Sequence, residues 1–199
     1  MLEYGDLMAH LEHADPFTFA DPGQWESWLA AHHADSNGVW MKIAKKHSDK
    51  ATIALIDALD VALCYGWIDS HRKAFDDDYY LQRYSARRPN GHWSRVNVDK
   101  AEALIAAGRM QESGYAAIRA ARADRRWDAA YESQRNATVP DDLSAALARN
   151  ERAREKFELL DRTHRYGLLL HLMKAKSPSN RATRITRIIE TLLPELPAE

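Results

Sequence analysis

Residues 53–65, Ile-Ala-Leu-Ile-Asp-Ala-Leu-Asp-Val-Ala-Leu-Cys-Tyr, carry apolar side chains on nearly every turn and end at Gly66. A helix that is apolar almost all round has no side to offer water, so the spacing predicts a central buried helix on which the rest assembles. Thr52 is the expected N-cap, and Gly66 supplies the left-handed residue that follows a helix end. Asp57 and Asp60, three apart, form the only polar stripe. Ile56, Leu59, Val61, Leu63 and Cys64 are the expected core.

The flanking segments are read by their period. Asp21-Pro22 before GQWESWLAAHH marks a helix start, with Trp25, Trp28 and Leu29 on one face. Asn37-Gly38 is a turn signal, after which Val39, Met41 and Ile43 alternate as on a strand, predicted over 39–45. Beyond Gly66, Trp67–Phe75 and Tyr79–Ala86 read as two more strands around the acidic turn Asp76-Asp77-Asp78. Asp99-Lys100-Ala101-Glu102 fits a capping box opening a helix that stops near Gly108. Tyr115–Arg122 is helical in composition, and 141–149, 151–160, 164–175 and 181–193 space apolar residues by three and four. Ser177-Pro178-Ser179-Asn180 signals the start of the last of these. The expected class is α+β: a small antiparallel sheet packed on a buried helix, followed by a mainly helical C-terminal part. Thr138-Val139-Pro140 is the expected joint, dividing residues 1–139 from a helical segment, 140–199, that docks on them.

Composition sets the outer limits. With 199 residues, 45% of them apolar and six Trp, the chain can bury a real core and is not a disordered polymer. No run approaches the ~20 apolar residues of a membrane span, and the first 17 residues lack the basic and apolar regions of a secretory signal. A cytoplasmic location is the expectation. Cys64 is the single cysteine, which excludes an internal disulfide and any multi-cysteine zinc site, and its place on the apolar helix predicts an inert core thiol.

Charge is distributed unevenly. Residues 1–41 hold seven acids (Glu3, Asp6, Glu12, Asp15, Asp21, Glu26 and Asp35) and no Lys or Arg, whereas residues 71–126 carry twelve Lys/Arg against seven acids. Between Tyr79 and Val98 lie Arg83, Arg87, Arg88 and Arg95 with no acid. Such a field concentrates anions, unless the acidic N-terminal segment folds over it and neutralises it. The same stretch is rich in aromatics and small donors: YGWIDSHRK, YLQRYSARRP, then HWSRVN. On a regular strand Trp67, Asp69, His71 and Lys73 share one face. Pro89 stops the third strand beside Arg87 and Arg88, and Trp93 and Ser94 approach a helix start. The candidate ligand-binding set is Trp67, Asp69, Tyr84, Arg87, Arg88, Trp93, Ser94 and Asn97, with guanidinium forks for phosphate or carboxylate and rings for planar groups. The bland alternative is that the rings are core and the arginines pair with acids.

Other candidates carry less. Asp60 and Asp69 could form a carboxylate pair, but a paired structural acid, with Arg72 or Arg83 as partner, is the commoner role for an Asp on an apolar helix. His10-x-x-His13 and His32-His33 lack the further ligands of a zinc site, so no metal is expected. GxSxG, P-loop, GxGxxG and HExxH are all absent, and no cofactor is expected.

A wider set of motifs now connects these pieces. Trp25-x-x-Trp28-Leu29, Gly38-Val39-Trp40, Ala58–Ser70, Tyr84-Ser-Ala-Arg87-Arg88-Pro89, Trp93-Ser94-x-x-Asn97 and Gly108-Arg109-Met110 resemble the YdeI/OmpD-associated family, also called bacteriocin-protection. Arg126-Trp127-Asp-Ala-Ala-Tyr131, Phe157-x-x-Leu160 and Arg165-Tyr166 continue the similarity, which spans residues 17–193. Two positions depart from the family pattern. Lys176-Ser-Pro-Ser-Asn-Arg181 replaces a Lys-Pro-Glu-Thr-Arg-like string, and Arg125-Arg126-Trp127 replaces Gly-Arg-Trp. The resemblance implies a cytoplasmic protein linked to tolerance of bacteriocins or cationic antimicrobial peptides, and brings no reaction, cofactor or catalytic residue with it. The leading expectation is a non-enzymatic stress-protection protein with an Arg/aromatic pocket for an anionic small molecule. An enzyme using Asp60, Asp69, His71 or Ser94 is the second reading. A nucleic-acid module is the third, disfavoured by a net charge of −1. Capture of a cationic peptide by the acidic N-terminal stretch is the fourth.

Overall fold

The computed structural model describes residues 15–34 and 37–193. His10, His13, Glu3, Asp6, Glu12 and Asp35 lie outside the described residues. The fold is α+β, and the chain divides into two compact units. One comprises the residues up to Gly91 together with Asp99–Arg125; the other comprises His92–Val98 and the residues from Arg126 on.

In the first unit, α1 (Pro22–His32) starts where Asp21 accepts a hydrogen bond from the Gln24 amide, with Pro22 in the first turn. Strands β1 (Val39–Ala44), β2 (Trp67–Ala74) and β3 (Tyr79–Ala86) form an antiparallel sheet in the order β1-β3-β2. The β2–β3 turn is closed by Asp76, whose carboxylate accepts from the Asp78 and Tyr79 amides. Phe17 covers the β1 edge, donating its amide to Trp40 O and accepting from the Lys42 amide. On the inner face of the sheet Val39, Met41, Ile43, Trp67, Gln82 and Tyr84 are buried. Trp25 of α1 packs on it, with ring centroids 6.2 Å from Trp67 and 5.6 Å from Tyr84.

The apolar helix forms as α2 (Leu55–Cys64), with two departures from expectation. Thr52 is not its cap: Ala54 holds that position, and the Thr52 hydroxyl accepts from the Ala44 amide instead, tying down the end of β1. Burial is one-sided at its start, where Ile56 is 61% exposed and Leu59 half-buried, and complete only in its last turn, Val61–Cys64. That last turn is enclosed because α2 packs against α1, β2 and α4 (Glu112–Ala123), and the chain reverses directly after it. The reversal uses Gly66 at φ +74°, as expected. A Cβ there would lie 2.8 Å from Ser113 O, so α4 seats against bare backbone. Gly114 makes a second close approach, where a Cβ would collide with Cys64 O and the Met110 sulfur.

Helix α3 (Arg95–Ala106) begins four residues before the expected capping box. Ser94 is its cap, its hydroxyl accepting from the Asn97 amide, while Asp99 is an exposed residue within the helix. The capping-box pattern at 99–102 therefore lies inside the helix, with Asp99 and Glu102 exposed and Ala101 buried, because a serine followed by three helix-competent residues had already nucleated the turn.

The second unit is helical: α5 (Asp141–Ala148), α6 (Glu151–Leu159), α7 (Arg162–Met173) and α8 (Pro178–Leu192). Leu143, Leu147, Ala153, Phe157, Leu169, Leu172, Ile188 and Leu192 form its core. Asp161 caps α7 through the Thr163 and His164 amides, and Ser177 caps α8 through the Asn180 amide, as the start signal predicted. Arg181 holds Asp142 through two bonds of 2.5 and 2.9 Å, joining α8 to α5. Trp93 packs on Trp127 with centroids 4.8 Å apart, and residues 93–95 bridge to Tyr131. No helix among the described residues is long and apolar enough to cross a membrane.

Arg125 has φ +65°, a left-handed conformation that disfavours side chains. This is the position where the Gly-Arg-Trp pattern has glycine, so the departure noted in the sequence carries a local strain. Arg125→Gly removes about 1 kcal/mol of strain, and the flexibility of glycine returns part of it. The expected result is a small rise in the urea unfolding midpoint. Gly114→Ala should act oppositely, costing about 1–3 kcal/mol through overpacking, with a clearly lowered midpoint in the same assay.

Candidate functional site

The chemistry of the first unit is sorted by the two faces of its sheet, and a β-bulge decides which residue goes where. Trp67, Ile68 and Asp69 pair with Ala86, Ser85 and Tyr84, but Arg72 and Lys73 pair with Gln82 and Leu81. One extra residue of β2 is accommodated between them, so the alternation slips. Asp69 and Arg72 therefore share the inner face with Tyr84 and Gln82, whereas Lys73 falls on the outer face. The expectation that Trp67, Asp69, His71 and Lys73 line one face fails for this reason.

The bulge also leaves the His71 carbonyl outside the ladder. Gln82, 2% exposed, donates to it at 3.2 Å and accepts from Arg72 Nε at 3.2 Å. The Arg72 guanidinium lies 4.5 Å over the Tyr80 ring. Burial raises the Asp69 carboxyl above the usual aspartate range, against a backbone hydrogen bond and the charges of Arg87 and Arg72, which lower it. Burial, and next the Asp69 charge, push the Tyr84 phenol strongly up, so it stays neutral. Its buried hydroxyl has no hydrogen-bond partner among the described residues.

The outer face has a different character. Lys73 Nζ lies 4.4 Å from the Trp40 ring centre and the Arg83 guanidinium 5.8 Å from the same ring. Lys42 Nζ lies 4.9 Å over Phe75 and 5.8 Å over Tyr79. No strand residue that register places on this face is acidic. Three cations thus sit on three aromatic rings with no acidic strand residue among them, and the Asp76–Asp78 turn adjoins Phe75 and Tyr79 at one end.

The sequence-derived set is distributed over both units. Trp67, Asp69, Tyr84, Arg87 and Arg88 belong to the first; Trp93, Ser94 and Asn97 belong to the second. Trp67 is buried and donates its indole N–H to His33 O at 2.9 Å. Asp69 and Tyr84 are register partners, and Arg87 is near enough to Asp69 to lower its pKa. Arg88 is exposed, Trp93 is buried, and Ser94 is engaged as the α3 cap with Asn97 as its partner. Asp60 pairs with Lys100 at 2.6 Å, both about a quarter exposed, and not with Arg72 or Arg83. Burial pushes the Cys64 thiol up to about 11, the chemistry of an unreactive thiol. His32 and His33 each bond a carbonyl one turn back in α1. Among the described residues no group of three His, Cys, Asp or Glu is placed to hold a metal. Sequence reasoning missed Trp40, Lys42, Arg72, Arg83 and Gln82. Alternation from Val39 and Tyr79 could have placed Trp40, Lys42 and Arg83 on one face, but nothing local announced the bulge.

These features define a two-unit α+β protein with a cation–aromatic sheet face. Residues 17–117 match the family described as Domain of unknown function (DUF8412), half of the chain, and the protein belongs to that family. Residues 136–193 match the family described as Bacteriocin-protection, YdeI or OmpD-Associated. The named resemblance thus resides in the helical C-terminal segment, and the strand region falls to the other family. No curated protein and no solved structure matches the chain.

A carboxyl whose folded-state pKa exceeds its unfolded value binds its proton more tightly when folded. Its contribution to stability is present at low pH and is lost as pH rises from the ordinary aspartate value, about 3.9, through the raised one. Asp69→Asn removes that loss. Urea midpoints measured across acid to neutral pH should decline less for the variant than for wild type over this window.

Proposed function

We propose that the protein is a non-enzymatic, cytoplasmic anion-binding protein serving protection against bacteriocins or cationic antimicrobial peptides, the role named in the description of its C-terminal family. The observation that carries the anion-binding reading is the outer sheet face, where Lys42, Lys73 and Arg83 lie over Trp40, Phe75 and Tyr79. Clustered cations raise the local anion concentration, and ring surface offers stacking to a planar ligand. A nucleotide-like anion meets both requirements. Asp69, Arg87 and Arg88 remain a proposed binding margin of the sheet in the first unit, whereas Trp67 and Tyr84 are buried there and Trp93, Ser94 and Asn97 belong to the other unit. A non-catalytic role is supported by Asp60 being held by Lys100 and by the Cys64 thiol being buried.

The reading is tested by thermal melts in AMP, in adenosine and in sulfate. Wild type should be stabilised by AMP more than by either alone. Lys73→Ala/Arg83→Ala should lose that gain, and Arg87→Ala/Arg88→Ala reports whether the margin contributes. Equal stabilisation of wild type and Lys73→Ala/Arg83→Ala by AMP rejects the outer face. A single-stranded oligonucleotide uses the same cation–aromatic combination. Short oligo-dT that binds more tightly than AMP, with a steep salt dependence, would move the assignment to nucleic acid.

A further inference from the structure

In the second unit, the segment preceding α5 and the corner between α6 and α7 enclose an open pocket of about 280 Å³. Arg135, Arg162 and Arg165 line it, with Ala137, Leu160 and Leu169 as its apolar wall. Three guanidiniums around so small a volume repel one another unless something negative lies among them. Among the described residues, none of the three pairs with a carboxylate. The acids nearby in the chain are occupied elsewhere. Glu132 faces Arg95 at 3.9 Å, and Asp161 is held by the His164 ring at 2.7 Å and by two amides that it caps.

Two of the arginines are positioned rather than loose. Arg162 Nη2 donates to the Gln134 and Arg135 carbonyls at 3.3 and 3.4 Å. Arg165 Nη2 donates to Glu158 O and Leu160 O, and its guanidinium lies 5.2 Å over the Phe157 ring. Backbone carbonyls fix these forks without neutralising their charge, so the positive field of the pocket survives. The Arg165 Nε–H is buried and meets no acceptor among the described residues, an expense that a bound anion oxygen would relieve. Tyr166, also lining the pocket, is anchored through its hydroxyl to Glu132 O at 2.9 Å.

We infer that this pocket binds a small phosphate-bearing anion. A phosphate dianion presents three or more acceptor oxygens to three guanidinium forks, where a carboxylate presents two and carries half the charge. The volume is at the lower end for ligand sites, roughly 300–1,000 Å³, which fits inorganic phosphate or a short phosphomonoester and not a dinucleotide. The apolar wall would take the organic part of a monoester. The site is separate from the sheet face and stands or falls without it.

Isothermal titration of the full chain with inorganic phosphate and with glycerol 3-phosphate, against chloride at matched ionic strength, tests the assignment. Wild type should bind at least one of the two phosphates saturably in the chloride background. Arg135→Gln/Arg162→Gln, both exposed positions, should weaken that binding tenfold or more while leaving the thermal midpoint near wild type. Lys73→Ala/Arg83→Ala should bind phosphate as wild type does. Tighter binding of glycerol 3-phosphate assigns a phosphomonoester; equal or weaker binding assigns free phosphate. Absence of saturable binding in wild type, or unchanged affinity in Arg135→Gln/Arg162→Gln, overturns the inference.

Discussion

The Trp25 indole is the contact on which the first unit depends. Its N–H donates to Ala58 O at 3.1 Å, which ties α1 to α2, and its ring touches Phe19, Trp28, Trp67 and Tyr84. One side chain thereby links two helices, an edge segment and two strands. A buried Trp brings large apolar area with few rotamers to lose, but only if its single donor is satisfied. The Ala58 carbonyl meets that condition, and the Trp67 indole repeats the arrangement on His33 O. Trp67 and Tyr84, two rings that looked available for stacking a ligand, are the material of the core.

With Trp67 and Tyr84 sealed on the inner face, the polar chemistry of β2 and β3 is displaced to the bulge and to the outer face. The bulge costs a ladder position and recruits Gln82 to cover it, which is why an amide side chain is tolerated at 2% exposure. It also turns Arg72 inward toward Asp69 and Lys73 outward toward Trp40. A shift of one residue thus separates a charge-balanced inner margin from an outer face that carries cations alone.

The second unit obeys simpler rules. Its helices bury leucine and isoleucine at three- and four-residue spacing, and capping by Asp161 and Ser177 sets where two of them begin. Arginines on such helices are usually a solvated face, and several here are. Arg135, Arg162 and Arg165 differ because backbone carbonyls, not carboxylates, hold two of them in place around one pocket. Phosphate chemistry in this unit and a planar anion on the sheet would make the two matched families two separate binding modules in one chain.

The sequence by itself determined what depends on local spacing. Periods of 3.6 and 2, proline and serine at helix starts, and Gly66 after α2 placed the described helices and strands to within a few residues. These signals are local because a helix face or a strand face is built from neighbours in the chain. Capping was legible but ambiguous: Asp99 matched the box, and Ser94 took the role five residues earlier. Tertiary structure alone decided the strand order, the bulge after Asp69, the exposure of Ile56, and Lys100 as the partner of Asp60. It also decided which rings are core and which carry cations. Each of these is a competition between pairings distant in sequence, settled by how much apolar surface and how many buried donors each arrangement can satisfy. No window of residues contains that comparison.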